Sequence, residues 1–170
     1  MKNFGLGVLV TLVFSAGAVY TAQKPSDDQV VREARDRAEI EDLMWRYTRA
    51  LDTGNGEAYA GVYTPDGQFG AGANATKGRE ALMKLVGGAR TPTAGAAPAA
   101  RPPMYHMTAN HAIHFTDKDH ARLDAYYLTA SAAGGQDTPL RVLAVGRSVD
   151  ELVRLNGKWL IRTRNVQPTE

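Results

Sequence analysis

Apolar residues at Ile40, Leu43, Met44, Tyr47 and Leu51 recur at the three- and four-residue spacing of one helical face. Ser26 with Gln29 has the capping-box pattern that opens such a helix, and Gly54 and Gly56 supply its stop, so a first helix is predicted over Asp27–Asp52. Arg32 with Asp36, Glu33 with Arg37 and Arg35 with Glu39 stand four apart on its exposed side, and this polar first half is expected to project from the domain. A short second helix is expected over Gly56–Tyr63, ended by a turn at Pro65-Asp66-Gly67, and a third over Gly78–Val86. The Gly-, Ala- and Pro-rich stretch that follows, residues 87–103, reads either as disorder or as a flap over a pocket. Beyond it the period changes from helical to two, predicting strands over Met104–Phe115, Ala121–Ala132, Leu140–Arg154 and Lys158–Val166. Asn156-Gly157 is a strong type I′ hairpin signal between the last two. Three helices followed by a meander of four long strands define an α+β class.

The first residues follow a different pattern. Met1-Lys2-Asn3 precedes an apolar run from Phe4 to Val19, with small residues at Ala16 and Ala18 or at Ala22 for cleavage. Residues 1–22 are therefore expected to be a signal peptide, 23–36 a linker and the start of the first helix, and 37–167 the folded domain. This implies a periplasmic or secreted protein with no membrane association once the signal is removed. An uncleaved anchor is the alternative, because nothing from Asn3 to Gln23 is charged and roughly 20 apolar residues span a bilayer.

Composition narrows the chemistry. A chain of 170 residues that is 44% hydrophobic can build one substantial core, which points to a single domain. The 20 Lys and Arg and 18 Asp and Glu are interspersed rather than blocked, so no nucleic-acid partner is expected. With 0 Cys, thiolate catalysis, disulfides and Cys-ligated zinc are excluded, leaving His, carboxylates, Tyr and Arg. His111 and His114 differ in strand parity and His120 falls in a turn, so the histidines do not converge as zinc requires, and no cofactor is implied. Apolar residues alternate along the strands, as at Leu123, Ala125, Leu143 and Val145, and three helices cover only one side of such a sheet. A homodimer joined through the other side is expected.

The order of signals from about Arg37 to Val166 resembles the SnoaL-like branch of the nuclear transport factor 2 superfamily. The resemblance is carried by Arg46-Tyr47-Thr48-Arg49-Ala50-Leu51-Asp52, Tyr63-Thr64-Pro65-Asp66-Gly67, Gly78-Arg79-Glu80-Ala81-Leu82, His106 with Asn110, Asp150-Glu151-Leu152, and Asn156-Gly157-Lys158-Trp159 before Arg164. It implies a cone-shaped, strongly curved antiparallel sheet packed on three N-terminal helices, with a pocket inside. Within the superfamily the chain is most similar to the scytalone dehydratase and bile acid 7α-dehydratase group. That group carries a Tyr on helix one with an Asp five residues on, and a catalytic His at the start of the first long strand. Tyr47, Asp52 and His106 match those places.

The residues themselves bear on this assignment. Tyr47 lies on the apolar helix face, so its hydroxyl needs a buried partner. Asp52 sits at the helix C-terminus, where the macrodipole disfavours a carboxylate. His106 shares strand parity with Thr108 and Asn110, opposite Met107, Ala109, Ile113 and Phe115, an assignment that a bulge would reverse. Arg164 shares a face with Arg162, opposite Trp159 and Ile161, as surface charges would; the resembled family often closes with a Trp…Arg pattern whose Arg points toward the pocket, which implies Arg164 as an anchor for an anionic or carbonyl group. Asn110, Tyr63 and Tyr126 are candidate pocket lining. The expected function is a cofactor-independent lyase, specifically a dehydratase, or an isomerase acting on a hydrophobic oxygenated small molecule by His, Asp and Tyr acid–base chemistry. The alternative is a non-catalytic envelope module with the same fold that binds a small molecule or acts as a dimeric interaction partner.

Overall fold

The computed structural model describes residues 24–87, 103–132 and 139–168. The expected signal peptide and most of the Gly/Ala/Pro-rich stretch lie outside these residues. Helix α1 runs Asp27–Thr53 and α2 Gly56–Gly61, followed by strand β1 over Tyr63–Phe69, the two-residue strand β2 at Thr76–Lys77, and α3 over Arg79–Gly87. Then come β3 (Met104–Phe115), β4 (His120–Ser131), β5 (Arg141–Leu155) and β6 (Lys158–Asn165). The six strands form one curved, unclosed sheet in the order β2-β1-β6-β5-β4-β3, with the helices packed on one face. Among the described residues no helix is long and apolar enough to cross a membrane.

Local signals explain the helix ends. The Ser26 side chain accepts a hydrogen bond from the Gln29 amide at 3.2 Å, but the Gln29 side chain donates to Glu33, so half of the expected capping box forms. Gly54 ends α1 in the left-handed conformation at φ 60°, which a glycine adopts without steric cost. Two charges read as exposed pairs instead tie α1 to the sheet. Asp36 is buried and takes a hydrogen bond from Arg154, whose guanidinium stacks 4.7 Å from the Trp159 ring, while Arg37 donates to the Ile113 carbonyl at 2.9 Å. Only the helix before Asp36 projects.

The strands require a larger correction, since Pro65-Asp66-Gly67 is not a turn after α2 but the middle of β1. A register shift between Tyr63 and Gln68 absorbs the proline, and β1 pairs parallel to β6, so the sheet is antiparallel except at this junction. The hairpin between β5 and β6 turns at Asn156 and Gly157, both at positive φ (51° and 77°), the backbone that a type I′ turn requires. The core between helices and sheet is built from Ile40, Leu43, Met44, Tyr59, Leu82, Leu123, Leu152, Trp159 and Ile161, all at most 2% exposed. Burying one such aliphatic side chain stabilises the fold by about 1.5–3 kcal/mol.

Two bulges decide which residues face inward. In β3 the pairing jumps from Ala109↔Tyr126 to Ala112↔Asp124, and Asn110 sits in the extra position at φ 54°. Before it, His106 and Thr108 are half-buried while Met107 and Ala109 are exposed; after it, Ile113 is buried. One strand thus aims His106 and Ile113 at the same side despite their opposite parity. In β6 the shift between Leu152↔Ile161 and Glu151↔Thr163 makes Arg162 the extra residue. Arg164 consequently lies on the same face as Trp159 and Ile161, not opposite them, and is 1% exposed.

Candidate functional site

Between α1 and the inner face of the sheet lies a cavity of about 220 Å³. His106, Thr108, Tyr127, Thr129, Tyr47 and Arg164 supply its polar groups, and Leu51, Phe69 and Val166 much of its apolar wall.

Asp52 is in the last turn of α1 and its side chain is 10% exposed. Its Oδ1 accepts two hydrogen bonds from one residue, the backbone N–H of His106 at 2.9 Å and the ring Nδ1–H at 2.8 Å. A carboxylate has no proton to give, so this contact selects the tautomer with the proton on Nδ1 and leaves Nε2 as the acceptor. The unfavourable helix-end position of Asp52 is therefore offset by two donors from β3 and, at 3.8 Å from its other oxygen, Arg49.

Tyr47 and Arg164 meet at a second wall. The Arg164 guanidinium carbon sits 4.4 Å from the centroid of the Tyr47 ring and the group donates to the buried carboxylate of Asp150. Burial works against the Arg164 cation, but Asp150 and the neighbouring tyrosines outweigh it and its pKa is raised, so it stays charged. Burial pushes Asp150 up to about 7, with Arg164 opposing. Asp150 Oδ1 and Arg164 Nε have no hydrogen-bond partner among the described residues. Burial also raises the Tyr47 phenol, against the pull of Arg164, so it remains a proton-bearing donor. Its ring packs 5.4 Å from Tyr59 and 6.4 Å from Tyr63.

The structure joins His106 directly to Asp52 and sets Tyr47 and Arg164 on the walls of the same cavity. Three other candidates lie elsewhere. Asn110 is exposed at the bulge, its conformation serving the backbone. Tyr126 is 57% exposed on the outer face of β4. Tyr63 is buried behind Tyr47, where its hydroxyl meets that of Tyr59 at 3.0 Å. Tyr127, Thr108, Thr129 and Phe69 line the cavity and were not singled out from the sequence. Alternation from Leu123 and Ala125 places Tyr127 and Thr129 inward, the one local signal that could have found them. Among the described residues no three His, Asp or Glu side chains form a metal-binding group.

No curated protein matches the chain. Solved structures do. A provisionally assigned scytalone dehydratase from Novosphingobium aromaticivorans is 22% identical over 83% of this chain and 89% of its own, with a TM-score of 0.65. An NTF2-like protein with a cystatin-like fold from the same organism is 20% identical over 80% and 83%, with a TM-score of 0.63. A protein from Catenulispora acidiphila in complex with S-DNPA is 29% identical over 77% and 91%, with a TM-score of 0.61. The family model of the SnoaL-like domain matches residues 32–165, from the exposed start of α1 to the end of β6, and the chain belongs to that family.

Proposed function

We propose that the domain is a cofactor-independent lyase, a dehydratase, or an isomerase that moves a proton next to a carbonyl in a hydrophobic oxygenated small molecule. The observation that carries this reading is the 2.8 Å contact between His106 Nδ1 and Asp52 beside a partly apolar cavity. Nε2 of His106 takes the proton from carbon; Asp52 holds the ring and stabilises the imidazolium that forms. Negative charge moves to the carbonyl oxygen, where Arg164 or the Tyr47 hydroxyl stabilises it by donation. In dehydration the imidazolium then gives its proton to the departing β-hydroxyl, so water leaves and an unsaturated ketone remains. In isomerisation it returns the proton to another carbon. A related chain held in complex with S-DNPA is in keeping with a ligand-binding pocket in this family.

The test is a panel of cyclic β-hydroxyketones followed by ultraviolet absorbance, with solvent deuterium exchange at the α-carbon read by NMR. His106→Ala is expected to lose about 100-fold or more in turnover or exchange, the range of a general base, and Tyr47→Phe to lose less. Full activity in His106→Ala defeats the mechanism. Tight binding of the same compounds with no exchange supports the non-catalytic binding module instead.

A further inference from the structure

The cavity contains a side chain that the acid–base reading does not use. Tyr127 leaves β4 on the inner face, and its ring lies across β5 at Gly146. A Cβ built on Gly146 would meet the Tyr127 hydroxyl at 2.8 Å and two ring carbons at 2.9 Å. No other residue type leaves that slot open. The ring ends just past β6, where the hydroxyl donates to the Val166 carbonyl at 3.2 Å, and both residues line the cavity. Tyr127 therefore spans from the strand beside β3, which bears His106, to the strand that bears Arg164.

The polarity of this wall follows from counting protons. A phenol has one proton to donate and two lone pairs with which to accept. With the proton on Val166, the Tyr127 oxygen offers the cavity an acceptor. A ligand hydroxyl satisfies that acceptor by giving its proton to Tyr127. An ether or ketone oxygen has no proton to give and leaves it unsatisfied. Size bounds the rest of the ligand. An apolar cavity of roughly 150 Å³ holds benzene, so about 220 Å³ accommodates one ring or a fused pair.

We propose that Tyr127, seated on Gly146, is the specificity-determining residue of the cavity and selects mono- or bicyclic ligands whose ring carries a phenolic or enolic hydroxyl. The inference rests on the reading of the cavity as a small-molecule site but not on turnover there. The probes are 1-naphthol, 1-methoxynaphthalene and naphthalene, titrated by fluorescence against the purified protein. The wild type is expected to bind 1-naphthol about 3- to 10-fold more tightly than 1-methoxynaphthalene, the value of one net hydrogen bond. Tyr127→Phe, which keeps the ring over Gly146, is expected to bring the two within twofold. Gly146→Ala, which displaces the ring, is expected to weaken both and shrink the ratio. A thermal melt of each variant checks that it folds.

Equal binding of naphthol and its methyl ether by the wild type overturns the proposal, as does an unchanged ratio in Tyr127→Phe or failure of all three probes to bind. The same ratio measured in His106→Gln separates the two readings. If it is intact there, and lost in Tyr127→Phe, the selectivity stands even where no turnover is found. If turnover depends on His106 but the ratio ignores Tyr127, this inference alone falls.

Discussion

Replacing Asp52 by Asn and by Ala separates the structural work of this carboxylate from its chemical work. Its Oδ1 receives two N–H donors from His106, at 2.9 and 2.8 Å. Asparagine keeps an oxygen there, so both bonds survive as neutral ones; the loss is the charge assistance, about 1–2 kcal/mol in total. Alanine removes the acceptor and leaves a partly buried amide without a partner, for about 3–4 kcal/mol. Urea unfolding should give these values as shifts in midpoint at unchanged slope. A long-range proton–nitrogen NMR correlation on ring-labelled histidine reads the second consequence. His106 should hold its proton on Nδ1 in the wild type and in Asp52→Asn, and become a mixture of tautomers in Asp52→Ala. On a substrate, Asp52→Asn should lower kcat by about 100-fold with little change in KM, because the neutral amide cannot stabilise an imidazolium. Equal destabilisation by Asn and Ala, or wild-type turnover in Asp52→Asn, would refute the reasoning.

Three further outcomes are expected. Mass spectrometry of the protein from an envelope fraction should give a chain lacking the apolar segment up to Ala18 or Ala22, motivated by Lys2 and the uncharged run that follows; an intact Met1 in membranes would favour the anchor. The outer face of the sheet exposes Tyr105, Met107, Tyr126, Val142, Leu143 and Val145, at 48–69%, so sedimentation at micromolar concentration should show a dimer that Val145→Glu dissociates, and a wild-type monomer would remove this idea. His111 has its pKa lowered by burial, with Glu41 opposing and Arg164 adding to the effect. Because the unfolded histidine takes its proton first, near pH 6.5, this contribution to stability is present above that pH and lost as pH falls; His111→Gln should show a smaller drop in Tm than wild type between pH 7 and 5.5, and an equal drop would argue against it.

What could be read from the sequence was what repeats along the chain. The helical spacing from Ile40 to Leu51 and the alternation of the four long strands gave those elements to within a residue or two, because burial of one face imposes a period that survives in the residue order. The first strand was missed for a physical reason. Pro65 and Gly67 are turn formers in isolation, and only pairing with β6 across the fold, around a register shift, makes them strand. The same limit explains Asn110 and Arg164, where counting by twos fails because a bulge adds one residue, whereas the alternation of Leu123 and Ala125 by itself turns Tyr126 outward. It also explains Tyr127, whose role depends on an empty position at Gly146 that is near only in space. Asp52 and His106 are 54 residues apart, and the family resemblance rather than any local signal brought them together.

The bulge at Asn110 makes β3 two half-strands spliced out of phase, one carrying the pocket and the other the core. Each half can therefore change its side chains without re-registering the other, provided the splice keeps its single extra residue. Deleting Asn110 would leave the strand paired and the composition almost untouched, yet it would force a choice. Either Ile113 stays in the core and His106 turns to the outer face, out of reach of Asp52, or His106 stays and the core loses Ile113. Insertions and deletions at this one position act as a phase switch between a domain without its histidine and a histidine site above a core without Ile113.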